Sequence, residues 1–448
     1  MEKEQSITEK IAHWLRTSVM LKLSMVTLLM LLLLIPKSMV ESVIRERKHL
    51  SSQVVDEVNQ LWSNEQQVMG PVISIPMDYR YKTEEGYTEF THYWHVLPED
   101  LVIDGEITPK ELKRGIYELA VYTSNLKVSG SFQIPAPPSS EHLHAIRYDE
   151  SIITLGISDL RGIQNEIEFG WNGEQLKVEP GSKFSKLAYS GLHIPLNLEQ
   201  AQLTQQHKFS FQLDLQGSEQ LSFIPIGAST SVKLHSSWTD PSFKGAFLPD
   251  TREVNEKGFE ASWKVLQLNR NFPQAWRGEE QFDKIKASSF GVGLLFSMDD
   301  YQKSTRSSKY GAMTIALTFL IFFLVEVVNK IKIHPFQYAL VGLALCLFYI
   351  LQLAISEHLG FNLAYCISTL AIVGMIGSYA LSIFKVKRIV ILLSLALLAI
   401  YGFLFVTLQM ADYALLMGAV GLCLILAATM YFTRNINWYA IKEDQDDE

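Results

Sequence analysis

Glu326, set in the apolar run "FFLVEVV", is the first residue of this chain whose type and place could do chemistry. Burying an ionised carboxylate in lipid is expensive, and such residues often carry function. Lys330 stands four residues on, one helical turn away, so a structural ion pair near the membrane face is the competing expectation. Glu357 and His358 stand in "LQLAISEHLGFNLAY", between two apolar runs. An imidazole titrates near pH 6.5, so this pair could form a pH-sensitive docking contact between an outer domain and a membrane bundle. The alternative is a polar turn of a helical hairpin. Asp412 is expected on the same face.

Other constellations are weaker. "SNLK", residues 124–127, matches the S-x-x-K nucleophile motif of penicillin-recognising enzymes. There the lysine lies one helical turn from the serine and accepts its proton. Here "VYTSNLKVSGSF" reads as a strand, which separates the two side chains by roughly 10 Å. The companion motifs S-D-N and K-T-G are missing. His92 and His95 in "THYWH" fall on opposite faces of a strand and cannot chelate together. His142 and His144 share one face of an extended segment with Asp149 nearby, which could hold an adventitious metal or be a solvated loop. Asp159 with Arg161, and Arg252 with Glu253, read as turn and ion-pair material. No G-x-S-x-G, H-E-x-x-H, Walker A or G-x-G-x-x-G motif occurs. No catalytic, cofactor-binding or metal-ligating residue is therefore assigned, and no cofactor is expected. Glu326, Glu357 and His358 are the candidate functional residues.

The elements that must position them follow from apolar patterning. The chain has 448 residues, 48% hydrophobic, with a net charge of −8. A membrane helix needs roughly 20 mostly apolar residues. The first candidate is "VMLKLSMVTLLMLLLLI", residues 19–35, followed by "PKSMVES" with no small-x-small cleavage site, so an uncleaved anchor is expected over residues 19–36. Five more apolar segments lie at about 310–328, 336–355, 363–384, 389–408 and 413–432. Lys3, Lys10 and Arg16 precede the first segment, Lys330 and Lys332 follow the second, Lys385, Lys387 and Arg388 follow the fourth, and Arg434 follows the sixth. The alternate loops carry no Lys or Arg. Basic residues mark the cytoplasmic side. Six crossings then place an N-terminal tail, 1–18, and an acidic tail, 433–448, in the cytoplasm, with residues 37–308 outside, in the periplasm of a Gram-negative cell.

Within that outer region, Val54, Val55, Val58, Leu61 and Trp62 recur at helical spacing, which predicts a stalk helix over 37–69. Period-two alternation dominates 70–308. Phe209, Phe211, Leu213 and Leu215 share one strand face, as do Val232, Leu234, Ser236 and Trp238, and Phe259, Ala261, Trp263 and Val265. Asn172-Gly173 lies between two such runs and predicts a type I′ hairpin. The three cysteines, Cys346, Cys366 and Cys423, all lie in apolar blocks, so the outer region has no disulfide framework and relies on its core. The expected fold is mixed: a large all-β, sandwich-like periplasmic domain inserted between the first and second of six transmembrane helices, with a five-helix bundle over 309–432.

Several stretches, in order, carry a resemblance. They include "GPVISIP" (70–76), "HVLPEDLVIDG" (95–105), "PSFKGAFLPDTREVNEKGF" (241–259), "DDYQKSTRSSKYG" (299–311), "IHPFQYALVGLALCLFYILQLAISEHLGF" (333–361) and "TRNINWY" (433–439). Over some 400 residues the chain resembles the CreD, or Cet, family of inner-membrane proteins. The resemblance implies envelope integrity and stress response, association with a sensor kinase and response regulator pair, and altered colicin tolerance. It implies no enzymatic activity and no catalytic residues. The leading expectation is a non-enzymatic envelope protein whose β-domain senses or binds a periplasmic protein or cell-wall partner. The alternatives are a transporter or channel component, and a membrane-anchored protein that binds or modifies wall glycan. The bilayer is an expected partner, nucleic acid is not, and the oligomeric state stays open.

Overall fold

A computed structural model describes residues 19–434 except 85, 201–202, 295–299, 330, 332, 385 and 411–412. The chain divides into two compact units, one of Met1–Ser51 with Met298–Glu448 and one of Ser52–Ser297. Helices are numbered in chain order: α1 (Val19–Leu61), α2 (Phe282–Ala287), α3 (Asp300–Lys309), α4 (Gly311–Val328), α5 (Pro335–Leu359), α6 (Phe361–Phe384), α7 (Lys387–Gln409) and α8 (Ala414–Thr433). Among the described residues, α1 and α4 to α7 are long and apolar enough to cross a membrane, while the apolar run Leu416–Tyr431 in α8 is shorter.

The second unit holds a ten-stranded and an eight-stranded sheet. In the eight-stranded sheet the alternation is realised residue by residue. Phe209, Phe211, Leu213 and Leu215 are buried, while Ser210 and Gln212 between them, and Lys208 just before, are exposed. Val232, Leu234 and Ser236, and Phe259, Ala261, Trp263 and Val265, behave alike. The apolar residues among these join Ile73, Ile153 and Ile194 of the other sheet in one core, so the unit is a sandwich with a shared interior. The Asn172-Gly173 turn has φ of 51° and 91°, the left-handed pair that a type I′ hairpin needs, and links Phe169–Trp171 to Glu174–Leu176.

The ten-stranded sheet is covered on both sides. Its central strand, Gln66–Thr83, fully buries consecutive residues Val72 and Ile73. One cover is aromatic: Phe184, Trp276 and Phe282 pack around His95 at ring distances of 5.1, 5.2 and 5.3 Å. Phe282 is supplied by α2. Asp159, expected to be ion-pair material, accepts from Arg161 Nη2 at 2.6 Å and from the Asn64 backbone at 3.0 Å. These donors hold its carboxyl well below the usual carboxylate range.

Three boundaries differ from the sequence reading. The anchor and the stalk form one helix, α1, which includes Pro36 and ends at Leu61 rather than at 69. The first strand starts at Gln66, where its parallel pairing with Leu221 begins, and the Gln66 side chain donates to Ser63, to the Asp159 carbonyl and to the Gln216 carbonyl. The polar run 300–309, expected at the end of the β-domain, is helix α3 and belongs to the helical unit. Its serines explain this, since Ser304, Ser307 and Ser308 form a small buried face that lets neighbouring helices approach closely.

His95 carries the clearest acid liability of the sandwich. Its Nδ1 lies 2.8 Å from Ser74 Oγ, and burial pushes its imidazole down to about 3. Its unfolded value is near 6.5. The native state therefore loses stability as pH falls from 6.5 towards 3, about 2 kcal/mol by pH 5 from single-site linkage. Thermal melts between pH 7.5 and 5 should decline more steeply for the wild type than for His95→Gln. Parallel declines would remove His95 as the acid-labile group.

A candidate polar site in the helical unit

The acids singled out in the sequence both lie in the helical unit, and the structure gives each a set of donors. Glu326 occupies the last turn of α4 and is 4% exposed. Its Oε1 accepts from Lys22 Nζ of α1 at 3.0 Å and from the Ile333 backbone at 3.3 Å. Its Oε2 accepts from the Tyr338 hydroxyl of α5 at 2.8 Å. Three helices thus meet on one carboxylate. Lys330, the expected partner, lies outside the described residues; among the described residues the cation on Glu326 is Lys22. The connection after α4 is drawn onto the same residue, because Ile331 N donates to the Glu326 carbonyl at 3.1 Å. His334 then caps α5: its Nδ1 accepts from Phe336 N, its own N donates to Gln337, and Pro335 takes the first helical position.

Glu357 and His358 were expected in a hairpin turn. They lie instead in the last turn of α5, which runs to Leu359. The reversal needs only Gly360, whose φ of 75° favours glycine. The N–H of Phe361, the first residue of α6, donates to Asp300 Oδ2 of α3 at 2.9 Å. Glu357 Oε1 accepts from the Tyr301 hydroxyl of α3 at 3.1 Å and lies 3.9 Å from Arg47 Nε of α1. His358 is exposed beside it. Asp412 lies outside the described residues.

Between these two clusters the contacts fall in register. Along α5, Tyr338 meets Phe319 and Glu326, Tyr349 donates to Thr314 at 3.3 Å, and Gln352 donates to Ser304 at 3.0 Å. The run α3–α4 is therefore antiparallel to α5. Contacts of α1 advance the other way, from Lys22 at Glu326, through Leu33 at Cys346, to Arg47 at Glu357. Tyr338 and Glu357 are about 28 Å apart along α5 at helical rise. That matches the hydrocarbon core of about 30 Å, so the two clusters are about one bilayer core apart along α5.

The remaining sequence candidates are not brought together. Ser124 is buried and Lys127 exposed on the strand Tyr117–Gln133, on opposite faces as the odd spacing requires. His92 is exposed while His95 is buried. No group of three His, Cys, Asp or Glu able to hold a metal occurs among the described residues. Asp214 lines an open groove on the eight-stranded sheet with Glu166 and Glu168. Hydrogen bonds from Asn165, Gln212 and Asn125 lower its pKa, the opposite of what a general acid needs. Sequence reasoning missed Lys22, Arg47, Tyr301 and Tyr338. A signal existed for Lys22, the lone charge inside the apolar run 19–35, as Glu326 is within 310–328. The tyrosines had none, since buried aromatics look alike until their hydroxyls find partners.

The family model described as Inner membrane protein CreD matches residues 18–439. Inner membrane protein CreD of Escherichia coli (strain K12) is 38% identical over 416 residues, 92% of this chain and 91% of that protein.

Removing one member of the Lys22–Glu326 pair strands the other among apolar helices. Lys22→Met and Glu326→Gln should each lower the melting point of the detergent-solubilised chain. The double variant should recover part of the loss, with a coupling on the order of 1 kcal/mol. Strictly additive losses would show that the two residues do not act as a pair.

Proposed function

Because the chain belongs to the CreD family of inner membrane proteins, we propose that it acts in the envelope without covalent chemistry, the β-unit binding or sensing and the helical unit anchoring. The observation that carries this reading is the engagement of its acids. Glu326 is held by three donors, and Glu357 by a tyrosine with an arginine beside it. A transport site keeps intramembrane acids available to a passing ion, lining a cavity. Wall-glycan hydrolysis needs two carboxyls about 5–9 Å apart, one with a raised pKa. Asp159 and Asp214 are both shifted the other way by their donors.

In this reading the chain crosses the membrane six times, with α8 as the sixth span, both termini cytoplasmic and residues 37–308 periplasmic. The distribution of basic residues supports that orientation, and the alternating directions of α1, α4 and α5 support successive crossings. The β-unit would meet a periplasmic protein or wall partner. Envelope integrity under stress, linkage to a two-component regulatory pair and altered colicin tolerance are what the family resemblance adds.

Two measurements test this. Alkaline phosphatase fused after Gly360 should be active, and fused after Arg388 inactive; the reverse pattern would invert the topology. Cells carrying Glu357→Gln with His358→Gln should insert the protein at wild-type levels yet differ in tolerance to envelope stress. Wild-type tolerance at equal expression would sink a functional role for that pair.

A further inference from the structure

The helices α6 and α7 flank an open groove in the half of the pair nearest their connection. Leu370 and Leu381 of α6 and Ile391 and Leu398 of α7 contribute apolar walls. Gly374 lowers one side, where an added Cβ would meet no atom within 4 Å. At one end stands Lys387, exposed and without an ion pair to any described residue. We propose that this groove holds an acyl chain of an anionic phospholipid, with the phosphate-bearing headgroup against Lys387.

Length and charge argue for this occupant. From Leu370 to Leu381, and from Lys387 to Leu398, the groove extends about 16 Å at helical rise. That is roughly half of the ~30 Å hydrocarbon core, the depth of one leaflet. An acyl chain spans one leaflet, which is the extent of this groove. Lys387 is the first residue of α7, so it stands at the end of the span, where a headgroup lies. The N-cap, Val386, offers no side-chain acceptor to the first turn, so the positive end of the helix dipole adds to the lysine charge. The proposal goes beyond the binding and anchoring roles above, since it concerns which lipid the helical unit keeps.

The test uses the full chain in mild detergent, with native mass spectrometry of retained lipid. The probes are phosphatidylglycerol and phosphatidylcholine with identical acyl chains. The wild type should retain phosphatidylglycerol about fivefold better, the increment expected of one interfacial lysine. Lys387→Gln should erase that preference, and Gly374→Leu, which fills the groove, should reduce retention of both lipids. Equal retention by the wild type, or a preference untouched by Lys387→Gln, would overturn the proposal. So would a dimer that Gly374→Leu converts to monomer with lipid retention unchanged, because a second copy would then be the occupant.

Discussion

A carboxylate among apolar helices has no water to fall back on, so its donors must come from the protein. Glu326 imposes that condition on the helical unit. Satisfying it takes a cation from α1, a hydroxyl from α5 and an amide from the segment between α4 and α5. The requirement sets how far α1 and α5 slide against α4, because a shift of one turn would move Lys22 or Tyr338 about 5 Å away. Apolar packing alone specifies register poorly in a bilayer, where lipid tails are as apolar as leucine. The polar contacts at Ser304–Gln352 and Thr314–Tyr349 repeat the same register further along α5.

The sandwich reaches its order by other means. Its one-sided sheet is specified by alternation, since slipping a strand by one residue would turn Phe209, Phe211, Leu213 and Leu215 to water. Its two-sided sheet needs a second cover, and the aromatic layer around His95 supplies one. The imidazole there is tolerated because it is neutral at ordinary pH and shares a hydrogen bond with Ser74. Lacking cysteine, the unit has only such packing to resist unfolding.

Local patterns were readable and distant pairings were not. The apolar segments, the alternating strands and the Asn172-Gly173 hairpin follow from periodicity and turn chemistry within about ten residues. The end of α5 is hidden in the sequence because "SEHL" has loop chemistry, and nothing local shows that a single glycine reverses two helices. The polar run 300–309 has the composition of a domain end, because its burial depends on serines packing against helices that come later in the chain. Lys22 and Glu326 are separated by 304 positions, and nothing local links them. The site was therefore half legible: the acids stood out, and the residues that hold them did not.

The single-residue link at Gly360 bears on how the bundle can move. Two long helices joined without a spacer have no slack between them, so a tilt of α5 at that end is passed directly to α6. Asp300 of α3 meets the tip of this hairpin, where its carboxylate accepts from Phe361 N. That contact ties α3 to the same tip, so the three helix ends form one mechanical joint.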